Sequence, residues 1–222
     1  FDLKRQINQL EKFTADVAHE LKNPLTAIKS SSELLLKNTV SEDVKIKLLK
    51  NFNNDVDRMN RLISDISNFS RVIAEIGLED FKLEDLNKFL HRFIENYTGN
   101  SKKIKFELDL EQNNFNILVN KDKLIQVFSN LIDNSISASK ENSIILIKTE
   151  EIDNNLVIIK FYDQGIGINL KDKNKIFERF YTDRQNNRNS HSGLGLSISK
   201  EIINSFKGSL ELTKSDKIDF RG

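Results

Sequence analysis

The feature that most limits the fold is a seven-residue repeat of apolar side chains in the first third of the chain. They recur in alternating steps of four and three, with one beat missing at Ser70: Phe52, Val56, Met59, Ile63, Ile66 and Ile73. This spacing keeps one stripe facing a partner helix, as in coiled coils and helical bundles. It therefore predicts a helix with a buried seam.

An earlier segment carries a second helical stripe, from Leu3 to about Leu36: Leu3, Ile7, Leu10, Val17, Leu21, Ile28 and Leu35. The residues between the stripes, 38–44, predict a short turn with Ser41 as the N-cap of the second helix. Two such helices cannot bury both stripes alone, whereas two copies can form a four-helix bundle. We expect a homodimer; the alternative is a long hairpin packed on the chain's own second half.

Past Gly77 the apolar period changes, which predicts a second domain. Strand patterns cover residues 103–110, 143–152, 155–163 and 208–213, and the middle two predict a hairpin around residues 153–155. Helical patterns cover residues 83–97, 121–139 and 194–206. This mixture predicts one sheet with helices on one face. We place the helical hairpin at residues 1–78 and the α+β domain at 79–222.

Charge and composition exclude several classes of function. With 34 Lys and Arg against 33 Asp and Glu, the net charge of +1 gives no general attraction for nucleic acid. The chain has no cysteine, and its three histidines are scattered. No apolar run approaches the ~20 residues of a membrane span. Because the chain begins at Phe1, we expect a sensor or membrane portion to precede it.

His19 is the residue of the first helix that is the clearest candidate for a chemical role. It lies two residues past Val17 of the stripe and should face solvent. Pro24 interrupts the same helical pattern and should bend the helix near Glu20, whose carbonyl loses its partner. Neutral imidazole is a competent nucleophile, and Glu20 could accept its proton. The plain alternative is a surface histidine on a charged helix.

Residues 18–28, AHELKNPLTAI, resemble the phosphoacceptor motif of sensor histidine kinases. In that motif a His and a Glu are followed by Asn or Thr and then Pro. The resemblance implies that His19 is phosphorylated and that Glu20 is the assisting base. It also implies that Asn23 orients water when such kinases dephosphorylate their partner.

Two clusters in the second domain suggest a nucleotide site. Asn130 and Asn134 share one helical face and can offer amide oxygens to Mg²⁺. Asp163 ends a strand, where its carboxylate can accept a hydrogen bond from an adenine amino group, while Gly165 and Gly167 permit close backbone approach. Guanine has a carbonyl oxygen in place of the amino group, so two acceptors would face each other. We therefore predict that ATP binds at least about tenfold more tightly than GTP. Taken singly, these clusters would be a solvated helix surface and an ordinary turn.

Two further clusters follow in the chain. The aromatic residues of 176–181 resemble the hinge of the mobile segment that covers ATP in histidine kinases. Plain packing in the core would explain these residues equally well. Arg179 and Arg184 are candidates to stabilise phosphate charge. The polar run 182–192 is expected to be a flexible lid. A glycine-rich stretch then opens a helix whose free N–H groups suit phosphates: Gly193, Leu194, Gly195 and Leu196.

In this order the four clusters resemble the ATP-binding domain shared by histidine kinases, gyrases, Hsp90 chaperones and mismatch-repair ATPases. The resemblance implies an α/β sandwich that binds ATP and Mg²⁺, autophosphorylation of His19, and transfer to an aspartate on the receiver domain of a response regulator. It also implies that the chain is the cytoplasmic portion of an inner-membrane bacterial sensor.

The match departs from the family at three places. His191 stands where relatives commonly carry glycine, Ser137 stands where they commonly carry a basic residue, and the sequence stops where the family has one more strand, by clipping or by native truncation. The first two departures motivate an alternative, a phosphatase or phosphotransfer scaffold that binds nucleotide poorly. A second alternative is a mechanical ATPase of the gyrase or Hsp90 kind, which the helical half with its exposed His19 argues against.

Overall fold

A computed structural model describes residues 2–37, 40–75, 80–97, 103–113, 115–153, 156–168, 173–182 and 192–213. These residues form two compact units. One comprises Phe1–Ala74 together with Phe177–Leu194, and the other comprises Glu75–Ile176 together with Gly195–Gly222.

The first unit is built on two long helices, α1 (Asp2–Leu35) and α2 (Glu42–Glu75). Both were predicted. The amide of Lys45 donates to the carbonyl of Ser41 at 3.0 Å, the first intrahelical bond of α2, so Ser41 holds the N-cap position as expected. The helix α1 continues through Pro24. The side chains of Leu3, Ile7 and Leu10 lie outside the described part of the structure.

The buried stripe of α2 differs from the predicted seam by one residue. Leu62, Phe69 and Val72 are the buried residues of this helix, whereas Ile63 and Ile73 of the predicted seam are 45% and 40% exposed. The helix thus carries two adjacent apolar stripes, and the second is half-buried at Phe52, Val56, Met59 and Ile66 but exposed at Ile63 and Ile73. Packing within one subunit therefore leaves Ile63 and Ile73 of the second stripe exposed.

Among its described residues the second unit contains two sheets rather than the single sheet predicted. In the three-stranded sheet, β2 (Lys105–Asp109) pairs in parallel with β4 (Ile144–Asp153), which pairs antiparallel with β5 (Leu156–Asp163). The β4–β5 pairing is the predicted hairpin. A small antiparallel sheet joins β1 (Lys82–Asp85) to β3 (Asn116–Val119).

In the described part of this unit there are three α-helices: α3 (Leu86–Asn96), α4 (Lys121–Ala138) and α5 (Gly195–Ser205). The central ring is Phe128 of α4, 2% exposed, which contacts Phe89 and Phe93 of α3 and Phe161 of β5. Burial of each such side chain contributes about 1.5–3 kcal/mol. The opposite face of the three-stranded sheet carries ion pairs, Lys148 with Asp109 and Lys160 with Glu150.

Two sequence predictions about this unit are wrong. The helix expected from Leu83 begins only at Leu86, because Leu83 pairs with Leu118 of β3 and Asp85 caps the helix by accepting from the amide of Lys88 at 3.0 Å. The strand expected at residues 208–213 is not one, since these residues pair with no described strand. A segment with high β-strand propensity forms a strand only where a neighbouring strand is available for hydrogen bonding.

Candidate functional site

His19 lies on α1 with its side chain exposed, as predicted. Asn23, one turn further on, is also exposed, whereas Pro24 is buried within the unit. The hydroxyl of Thr26 donates to the carbonyl of Lys22 at 2.8 Å, a local bond beside the proline. The predicted bend at this level stays a prediction.

Glu20 is held by a residue that the sequence did not indicate. Its Oε2 lies 3.4 Å from Nη2 of Arg58 on α2, and the two side chains are 24% and 27% exposed. Hairpin register could have revealed this partner, because Glu20 and Arg58 lie at matching distances on either side of residue 39. The acidic neighbour of His19 therefore does not point freely into solvent.

Asn130 links α4 to the beginning of α5. Its Nδ2 donates to the carbonyl oxygen of Gly195 at 3.0 Å and to Oγ of Ser199 at 3.2 Å. Ser199 also donates to the same carbonyl at 3.0 Å. The helix α5 begins at Gly195, where a Cβ would lie 3.6 Å from Oδ1 of Asn130. Asn130 and the start of α5 are therefore neighbours in the structure.

The donor set near Asn130 suits Mg²⁺. Because Nδ2 is used by two acceptors, Oδ1 is the atom of Asn130 available to a cation, and hard cations prefer oxygen. Asn134 lies one turn further on, half-buried. Within the described ranges no three His, Cys, Asp or Glu side chains group to hold a metal.

Asp163 ends β5 and is exposed. Its Oδ1 accepts a hydrogen bond from the amide of Gly165 at 2.9 Å, which folds the chain back after the strand. A Cβ on Gly165 would lie 2.7 Å from that oxygen and 2.9 Å from Cβ of Ala138. Gly167 has φ of +77° with open space around it. The two glycines are thus required for different reasons, close approach and backbone conformation.

The segment Phe177–Leu194 belongs to the unit that contains the hairpin. Phe180 stacks on Phe13 of α1 with centroids 6.5 Å apart, and Phe13 packs against Phe69 of α2 at 4.9 Å. The amide of Phe180 donates to the carbonyl of Gly193 at 3.0 Å. Gly193 has φ of +76°, and a Cβ there would lie 2.6 Å from the backbone of Phe180. Gly193 closes the base of this segment.

Arg179 lies over aromatic rings in this unit. Its guanidinium carbon is 5.3 Å from the centroid of Phe13 and 5.1 Å from that of Phe69. Sequence reasoning proposed a phosphate role for Arg179 and missed both rings as partners. Leu194 is fully buried, so its side chain is part of the packed interior. Arg184, His191 and most of the predicted lid lie outside the described residues.

Two sequence families match this chain. The His Kinase A (phospho-acceptor) domain matches residues 9–75, and the histidine kinase-, DNA gyrase B- and HSP90-like ATPase matches residues 119–221. A phosphoacceptor hairpin followed by this ATP-binding domain defines a histidine kinase catalytic core. The chain belongs to the two-component sensor histidine kinases.

Named relatives agree with this assignment. The chain is 38% identical over 216 residues to sensor protein ChvG of Rhizobium meliloti (strain 1021), covering 92% of this chain and 37% of that protein. It is 31% identical over 202 residues to sensor protein kinase WalK of Staphylococcus aureus, covering 89% of this chain and 48% of that protein. The chain thus spans less than half the length of these relatives.

Solved structures show the same fold. Histidine kinase ThkA, crystallised in complex with response regulator protein TrrA, superposes with a TM-score of 0.66 at 26% identity. The match covers 92% of this chain and 57% of that one. Among the helices that the structure describes, none combines the length and apolar character needed to cross a bilayer.

Proposed function

We propose that this chain transfers the γ-phosphoryl group of Mg²⁺-bound ATP to its own His19. The observation that carries the proposal is an exposed imidazole on α1, directly before a carboxylate that Arg58 holds. Phosphoryl transfer needs mainly positioning and charge stabilisation. We place the phosphoacceptor domain at residues 1–78 and the ATP-binding domain at 79–222.

In the ATP-binding domain, Asp163 would accept a hydrogen bond from the adenine amino group and Oδ1 of Asn130 would hold Mg²⁺, with Asn134 beside it. Bound Mg²⁺ would neutralise phosphate charge. The helix α5 begins at Gly195, so the positive end of its dipole would favour a phosphate placed there, as helix N-termini do. Gly165, Gly167, Gly193, Leu194 and Leu196 complete the proposed nucleotide contacts.

The phosphorylated His19 would then donate to an aspartate on a response regulator receiver domain, and Asn23 would support the reverse, phosphatase reaction. The ThkA–TrrA complex supports this class of partner. Homodimerisation is supported by Ile63 and Ile73 on the second apolar stripe of α2, which packing within one subunit leaves exposed. Placement on the cytoplasmic side of a bacterial membrane, through an anchor elsewhere in the protein, belongs to the same proposal.

The deciding experiment is incubation with γ-labelled ATP and Mg²⁺. We expect label on the protein that is stable to base and lost in acid, as phosphohistidine is. His19→Ala should abolish the label without changing nucleotide affinity, whereas the control His91→Ala should retain it. Unlabelled wild type, or label that survives in the His19→Ala variant, would refute the proposal. Sustained ATP hydrolysis without a phosphoprotein would favour a mechanical ATPase.

A further inference from the structure

We propose that Arg58 is a positioning residue for phosphoryl transfer to His19, which acts by fixing the carboxylate of Glu20. This inference rests on the proposed autophosphorylation and assigns a role to a residue outside the phosphoacceptor motif. Its basis is the contact of 3.4 Å between Nη2 of Arg58 and Oε2 of Glu20.

The contact joins two different helices. Glu20 and Arg58 are 38 residues apart in sequence, so the pair depends on the packing of α1 against α2 and not on helix geometry alone. The other ion pairs described in the hairpin, Lys29 with Glu33 and Lys45 with Glu42, are three or four residues apart and more exposed. Such surface pairs contribute little. Of these three described pairs, only Arg58–Glu20 joins side chains of the two helices.

Glu20 needs such a constraint because of where it lies. Neighbouring residues on a helix project about 100° apart, so the side chains of His19 and Glu20 do not face each other. A glutamate loses considerable rotamer freedom when it is held in one conformation. Because Arg58 already restricts the Glu20 side chain before ATP binds, less side-chain conformational entropy is lost when the reaction takes place.

The contact with Arg58 is made to one oxygen of Glu20, Oε2, and the proposed reaction uses the other. One ring nitrogen of His19 forms a bond to the γ-phosphorus, and the bond from that phosphorus to the oxygen shared with the β-phosphate breaks. The electron pair of the broken bond leaves on ADP. The proton on the other ring nitrogen passes to the carboxylate. Since Arg58 contacts Oε2, the proton is accepted at Oε1 of Glu20.

The test compares Arg58→Met, which keeps the aliphatic length, with Arg58→Lys, which keeps the charge. Initial rates of autophosphorylation are measured against ATP concentration on the full chain. We expect Arg58→Met to lower kcat at least tenfold with KM for ATP within about twofold of wild type, and Arg58→Lys to recover at least a third of the loss. Arg71→Ala is the matched control, because Arg71 on the same helix contacts only nearby Asn68 in the described structure.

A double-mutant comparison separates positioning from a general effect on folding. Glu20→Gln should lower kcat, and adding Arg58→Met to it should cause less than a twofold further loss. Independent, multiplicative losses, or an Arg58→Met variant with wild-type kcat, would overturn the inference. Unlabelled wild-type protein would instead refute the proposed autophosphorylation. If Arg58→Met melts at a much lower temperature, the Arg58→Lys variant decides: recovery of stability without recovery of kcat overturns the positioning role.

Discussion

The guanidinium of Arg179 lies over the ring of Phe69, with 5.1 Å between the guanidinium carbon and the ring centroid. Phe13 lies at 5.3 Å from the same carbon, so one cation contacts an aromatic ring from each helix of the hairpin. Cation–π contacts of this kind contribute roughly 0.5–2 kcal/mol. Arg179 is therefore a bridge between α1, α2 and the segment that carries it.

Replacement of Arg179 by Met should lower the free energy of unfolding by about 1 kcal/mol, measured by urea denaturation, because the cation over the rings is lost. Arg179→Lys should lose less. Affinity for Mg²⁺·ATP should stay within about twofold of wild type in both variants, since Arg179 is occupied by aromatic rings. A tenfold weaker nucleotide affinity would instead support the phosphate role suggested by the sequence.

Gly165→Ala should weaken ATP binding at least tenfold. The added Cβ would lie 2.7 Å from Oδ1 of Asp163 and 2.9 Å from Cβ of Ala138, so the carboxylate or the end of α4 must shift. Gly167→Ala separates the two causes, because it strains the backbone of a second proposed nucleotide contact without a steric clash and should weaken binding less. Isothermal titration calorimetry compares the two, and a stronger effect at Gly167 would contradict the argument.

Asp163 should set the preference for adenine. We expect ATP to bind at least about tenfold more tightly than GTP, since guanine presents a carbonyl oxygen to the carboxylate at a cost of about 1–3 kcal/mol. Asp163→Asn should reduce this ratio, because an amide can also donate to the guanine oxygen. Competition against a fluorescent nucleotide measures both ratios. Equal affinity of the wild type for ATP and GTP would remove Asp163 from the adenine site.

Ile63 should report on self-association. Its side chain is 45% exposed on the second apolar stripe of α2, and a charge there would be buried unpaired in a bundle. Ile63→Glu should weaken dimerisation at least tenfold, measured by sedimentation equilibrium. Ser64→Glu is the control outside the repeat. A dimer unaffected by Ile63→Glu would place the interface elsewhere.

Asp85 should make stability depend on acidity. Hydrogen bonds from the backbone and side chain of Lys88 lower the pKa of Asp85. A lowered pKa in the folded state gives stability that is present above the unfolded value of about 3.9 and lost as pH falls. Asn is an equally good N-cap and does not titrate. The advantage of wild type over Asp85→Asn should therefore shrink below about pH 4 in denaturation experiments.

The sequence predicted the long elements because their periodicity extends over many residues. The helices α1, α2 and α4 and the β4–β5 hairpin lie close to their predicted positions. The strands β1 and β3 were not predicted, because each has only four residues. An apolar pattern as short as that of Lys82–Asp85 cannot be distinguished from the beginning of a helix. Parallel pairing of β2 with β4 also leaves no periodic signal, since the partner of a strand is chosen by the tertiary fold.

The residues of the candidate site also fall into those that the sequence could predict and those that it could not. Residues within motifs, such as His19, Asn130 and Asp163, could be named from the sequence because their neighbours along the chain are distinctive. Arg58, Phe13 and Phe69 could not, because their importance comes from the register between two helices. A shift of one position on α2, from Ile63 to Leu62, decides which apolar stripe a subunit buries.

The bond between the amide of Phe180 and the carbonyl of Gly193 ties two points of the chain that are 13 residues apart. Once such a base is closed, lengthening the span between its ends costs little, about 0.6 kcal/mol for each doubling. Homologues could therefore exchange this span for shorter or longer versions while the surrounding scaffold stayed the same. Gly193 itself has no such freedom, so variation in length should stop at that residue.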